Sequence, residues 1–140
     1  MSSTEFLPSP YLPHPCGLMH LPRMVEKIRR HWAGELSPEY ARTLGRGFDD
    51  LLCEHLGVPF ASFLAALEGQ KLSGEIEAAV LALIPPDPRA HIWNRKLVQR
   101  GLGGYSRERL DIRKRELDLE HREDILTMCD LLEVHEGRLP

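Results

Sequence analysis

Apolar residues recur along this chain at three- and four-residue intervals, punctuated by proline and glycine, and nowhere alternate with polar ones over a useful length. That periodicity predicts helices and no strands. The clearest case is Leu21, Val25, Ile28 and Trp32, spaced four, three and four apart with Met24 beside them. Pro22 suits a first helical position, Gly34 offers a stop, and the stripe predicts a helix with one buried face, Trp32 included. Ser37-Pro38-Glu39 then reads as a cap with a first-turn acid, and Gly45 ends a short helix. Phe48, Leu51, Leu52 and Leu56 line a further helix closed by Gly57, and Phe60, Phe63, Leu64 and Leu67 line the next, before Gly69.

Downstream, Ser73 is the expected cap of a helix carrying Glu75 and Glu77 near its positive end, with Ile76, Ala79, Val80 and Leu83 as its stripe. Pro85-Pro86 closes it. Asp87-Pro88 repeats the cap-plus-proline signal for a helix running through Ile92, Trp93 and Leu97 to Gly101, with Trp93 in the core. Gly101 to Gly104 reads as a joint, and Ser106 as the cap of a largely solvated, mixed-charge helix. The last helix is expected to hold Glu123 and Asp124 in its first turn, Ile125, Met128, Leu131 and Leu132 inward, and Gly137 at its end. The expected fold is all-α: a single-domain bundle of six or seven short helices over residues 18–140. Ahead of it, Pro8, Pro10, Pro13 and Pro15 make residues 1–17 an extended arm, packed on the domain through Phe6, Leu7, Tyr11 and Leu12. The sharper alternative for the arm is a polyproline ligand for a partner.

Composition narrows the classes. A chain of 140 residues, 42% hydrophobic and 28% charged, can bury roughly two-thirds of its unfolded surface as one globular domain without a staple. The net charge of −3 argues against nucleic acid as a partner. Ala78 to Ile84, the longest apolar run, is far short of the ~20 residues that cross a bilayer, so no membrane is expected. Cys16, Cys53 and Cys129 form no C-x-x-C, and the first six residues lack a secretion signal. Reduced thiols in the cytoplasm are the expectation.

Charge changes the picture most on the first helix, where Arg23, Lys27 and Arg30 project at i, i+4 and i+7. Three like charges in a row repel one another unless something negative faces them. Asp49, Asp124, Asp130 and Glu136 are the natural internal partners, each near a helix end. Alternatively the row, with Arg29 and with His20 at the helix N-terminus, holds a phosphate or carboxylate from outside.

The segment Gly17-Leu18-Met19-His20-Leu21-Pro22-Arg23-Met24, followed by Lys27 and Arg29, resembles the opening of a bacterial family described as a domain of unknown function (DUF5069). Asp49 ahead of Leu52, Leu56 and Gly57-Val58, then Asn94, extends the likeness through the middle. Arg122-Glu123-Asp124-Ile125-Leu126-Thr127, Asp130 and the closing Glu136-Gly137-Arg138 carry it to the end. Residues 102–121 fit less well and read as a variable insert. The resemblance implies a compact helical domain and assigns no activity.

Other constellations are weaker. His14, Cys16 and His20 lack a fourth zinc ligand; Asp118-Leu119-Glu120-His121 is half of a di-iron motif; and no H-E-x-x-H occurs, so neither metal nor cofactor is indicated. Cys53 and His55, two apart on a helix, point to different sides and cannot act as a dyad; Cys129 belongs in the core. Asn94, beside Trp93, either satisfies backbone groups or lines a pocket. The sequence thus favours a non-enzymatic binding or interaction domain with a central charged network. The second reading is a small enzyme or ligand-binding protein with an anion pocket built from His20, Arg23, Lys27, Arg30, Asp49, Asn94 and Asp124. A small anionic ligand and a second copy of the chain are the open partners.

Overall fold

A computed structural model describes residues 6–140; the expectation for residues 1–5 of the arm lies outside them. The regular structure of the described residues is all helix, with no strand and a lone antiparallel bridge between Pro13 and Met19. In order the helices are α1 (Leu21–Ala33), α2 (Pro38–Ala41), α3 (Phe48–Leu56), α4 (Phe60–Ala66), α5 (Ser73–Leu81), α6 (Ala90–Gln99), α7 (Gly104–Glu116) and α8 (Met128–His135). Eight helices stand among the described residues where six or seven were expected; the single turn α2 and the 13-residue α7 are each helices of their own.

Two apolar clusters organise the packing. The larger joins Leu21, Met24 and Ile28 of α1 to Leu52, Cys53 and Leu56 of α3, Phe63 of α4, Val80 of α5, Trp93 and Leu97 of α6, and Cys129 of α8. The smaller is Leu110 of α7 with Ile125 and Leu131, flanked by Leu117 and Met128. Thus α8 serves both, Cys129 facing one cluster and Leu131 the other. Burial pushes the Cys53 and Cys129 thiols up to about 12, so both stay protonated and inert.

Several helix starts differ from expectation, each for a local reason. Ser73 and Ser106 lie inside their helices; Leu72 and Gly103 occupy the N-cap positions. The Ser106 hydroxyl instead ties the glycine joint, accepting from the Gly101 amide and donating to the Gly103 carbonyl. Asp87 accepts from the Arg89 amide, and it is Arg89, at φ 48°, that precedes α6. Glu123 and Asp124 fall in turns before α8, which is capped by Thr127 accepting from the Asp130 amide at 3.1 Å. Trp32, expected in the core, is 39% exposed, because α1 outruns the cluster in its last turn and the indole N–H finds the Leu64 carbonyl at 2.8 Å.

The arm is held by its carbonyls. Prolines remove donors and leave acceptors, which arginines can satisfy. Arg30 donates to the Phe6 carbonyl, Arg138 to that of Leu7 and Arg23 to that of Pro8, while the Tyr11 hydroxyl donates to Asp130 at 2.8 Å. Leu7 is buried; Phe6 and Leu12, expected as anchors, are about half exposed.

Candidate functional site

His20 sits where the chain turns into α1, in the left-handed region at φ 70°. A non-glycine residue there is strained and persists only when its surroundings fix it. Here they do. The amide of Asn94 on α6 accepts from the Met19 N–H at 2.9 Å and donates to the Gly17 carbonyl at 2.8 Å, and the Trp93 indole donates to the Met19 carbonyl. Gly17, at φ 100°, makes the turn possible, since a side chain there would crowd Ala90. Asn94 therefore satisfies backbone groups and positions His20.

The imidazole Nε2 lies 2.7 Å from Oδ1 of Asp49, in the first turn of α3. The other oxygen, Oδ2, takes Lys27 Nζ at 2.8 Å and the Gly45 amide at 3.0 Å. Burial alone would push the Asp49 carboxyl up. The His20 hydrogen bond and the Lys27 charge outweigh it and hold the group below the usual carboxylate range. An ionised carboxylate only accepts, so Nε2 carries the imidazole proton and Nδ1 is left as a lone pair. Among the described residues Nδ1 is the one buried side-chain nitrogen or oxygen without a partner. Burial lowers the His20 pKa below its ordinary value, since protonation would add a donor where nothing accepts. The lysine is likewise lowered by burial, against the pull of Asp49.

One turn along α1, Arg23 meets Glu136, just past α8, in a two-pronged pair at 2.9 and 2.7 Å. Tyr40 donates to the same carboxylate at 2.7 Å, Arg138 reaches it as well, and the Arg23 guanidinium lies over the Tyr40 ring. Burial raises the carboxyl, but Arg23, with the Tyr40 and Arg138 hydrogen bonds, more than compensates and holds it below its usual range, so Glu136 stays ionised. The Tyr40 phenol is pushed up to about 12 by burial and by Glu136 and remains a donor. Arg30, the third of the row, pairs with Glu26 at 2.8 Å.

These lowered values fix a pH dependence. As pH falls through 6.5 the unfolded chain gains a proton at His20 that the folded one refuses, and stability declines. Below 4.5 and 3.8 the unfolded carboxyls of Glu136 and Asp49 protonate before the folded ones, and the decline steepens. The melting temperature should fall in those two stages in a pH series, and His20→Gln should remove the first. A flat profile from 6.5 to 4.5 in the unsubstituted protein would contradict a neutral buried His20.

A cleft of about 330 Å³ opens between the α1–α3 side and the α7–α8 side. His20, Arg23, Lys27 and Glu136 lie along it; Phe48, Leu51, Met128, Leu131 and Leu132 give it an apolar wall. Asn94, Asp49, Arg30 and Asp124 are not among its lining residues. Asp124 is on the surface, pulled down to about 2 by Arg122. Four cations that the sequence reading did not single out also line the cleft: Arg46, Arg100, Arg109 and Arg113. Arg113 pairs with Glu116, whereas Arg46, Arg100 and Arg109 have no carboxylate partner among the described residues. The i, i+4 spacing of Arg109 and Arg113 on α7 was the available signal.

His14 accepts from the Cys16 amide and faces Glu77 at 2.9 Å. No helix among the described residues is long and apolar enough to cross a membrane. No curated protein matches the chain. A family model described as Domain of unknown function (DUF5069) covers residues 5–138, from the arm through Arg138, and the chain belongs to that family.

Proposed function

We propose that this domain is a non-enzymatic binding protein for a small organic anion with an apolar body, taken up in the cleft between α1–α3 and α7–α8. The observation that carries the reading is the unpartnered arginine rim. Arg46, Arg100 and Arg109 line a concavity whose wall is apolar, while the buried row on α1 is already matched by Asp49, Glu136 and Glu26. Guanidinium groups with spare donors suit carboxylate or phosphate, and a cleft of this size suits a molecule of modest dimensions. The central network is then the frame on which the site is built, and the ligand is met by the outer cations. Three free thiols fit a reducing compartment, and we take the cytoplasm as the setting.

The test is ligand-induced stabilisation, with phenylacetate and phenyl phosphate as probes. Either probe should raise the melting temperature of the unsubstituted protein in a concentration-dependent way. The double variant Arg100→Ala/Arg109→Ala should lose that rise while melting, without probe, within a degree or two of the parent, since both side chains are exposed. Equal stabilisation of parent and variant would remove the rim from the reading.

A further inference from the structure

The cleft contains one group that neither the frame nor the rim explains. His20 is 2% exposed, strained at φ 70°, clamped from behind by Asn94 and Trp93, and pinned at Nε2 by Asp49. Every polar atom around it is matched. Asp49 receives three donors, Lys27 reaches Asp49 and the Thr43 hydroxyl, and Glu136 receives Arg23, Tyr40 and Arg138. Among the described residues Nδ1 alone is buried with nothing to accept from. Native interiors rarely leave such an atom without a reason, and strain held at the same residue narrows the reason to a site.

We propose that Nδ1 of His20 is the cleft's hydrogen-bond acceptor, and that the ligand is an organic anion bearing a hydroxyl group as well as its charged head. Asp49 fixes the tautomer: with the proton on Nε2, Nδ1 can take a donor and cannot offer one. A second anionic oxygen is therefore rejected at this point, and an O–H is accepted. The Phe48 ring lines the same cleft and stands edge-on to the imidazole, ring centroids 5.5 Å apart, so an apolar group packed on it lies beside His20. The ligand's parts then divide among three surfaces: the anion to the arginine rim, the apolar body to Phe48, Leu51 and Met128, and the hydroxyl to His20. This rests on the cleft reading above and sharpens it to a class, the hydroxy acids.

Matched pairs differing by one hydroxyl test it: mandelate against phenylacetate, and 3-phenyllactate against 3-phenylpropionate, by calorimetric titration. At least one hydroxylated member should bind on the order of tenfold more tightly than its partner. His20→Gln, whose amide still offers Asp49 a donor, should erase that preference. In the unsubstituted protein the ¹⁵N resonance of His20 Nδ1 should shift with the hydroxylated member and stay in place with the other, which serves even where the variant fails to fold. Equal binding within both pairs overturns this inference and leaves the arginine cleft standing. Absence of binding by all four overturns this inference, and absence of binding by phenyl phosphate as well overturns the two together.

Discussion

Asp49→Ala is expected to be the most damaging single substitution in the chain. It removes a carboxylate that is fully buried and leaves three donors behind: the Lys27 ammonium, the His20 Nε2–H and the Gly45 amide. Of these, only Lys27 retains a partner, the Thr43 hydroxyl at 3.2 Å and its carbonyl at 3.4 Å. Stranding a buried charge costs about 3–5 kcal/mol, and two orphaned donors add to it, against total stabilities of roughly 5–15 kcal/mol. The melting temperature should drop by more than about 10 °C, or the variant should be unfolded at 25 °C. Thermal and urea unfolding measure it. Asp49→Asn, which keeps an acceptor for one donor and loses the charge, should fall between. A melting temperature within a few degrees of the parent would mean that the ammonium escapes to water, and the buried network would not hold the helices together.

Arg23→Ala should destabilise by about 3 kcal/mol, the lower end of the range for a broken buried pair, because Glu136 keeps Tyr40 and Arg138. The arm should loosen as well, since Arg23 also holds the Pro8 carbonyl. Hydrogen exchange across residues 7–12 reports that second effect separately from global unfolding. The double variant Arg23→Met/Glu136→Leu discriminates further. Replacing both charges with apolar groups removes the uncompensated ion, so it should recover part of the loss in Arg23→Ala. Failure to recover any of it would show that Tyr40 and Arg138 depend on Glu136 for more than charge.

The architecture was readable where one residue carries its own signal. Pro22 and Gly34 bracket α1 because their backbones permit few alternatives, and the Phe48 to Leu56 stripe ends at Gly57 for the same reason. Caps were less readable. A serine or aspartate near a helix start can bind any of several local amides: Asp87 and Ser106 each took another partner, and Ser73 lies inside its helix, one residue past the cap. Asp49 and Glu136 were two of the four acids that the need for a counter-charge pointed to, and the pattern did not separate them from Asp130, which takes Tyr11 instead. Asp124 looked equivalent, but Arg122, two residues away, takes it at the surface. The arginine rim was the least readable part. Arg46, Arg100 and Arg109 come from three separate segments, and only the fold brings them to one cleft. No local pattern marks a site assembled in that way.

The partnership of Arg23 with Glu136 spans 113 positions of sequence, and the Leu7 carbonyl reaches Arg138 across 131. A chain emerging from the ribosome therefore carries its first amphipathic helix with that guanidinium uncompensated until the far end of the domain has been made. Closure of this fold awaits residues more than a hundred positions downstream of α1, and a nascent chain halted before Glu136 would hold Arg23 without its carboxylate and the arm without the arginine that fastens Leu7.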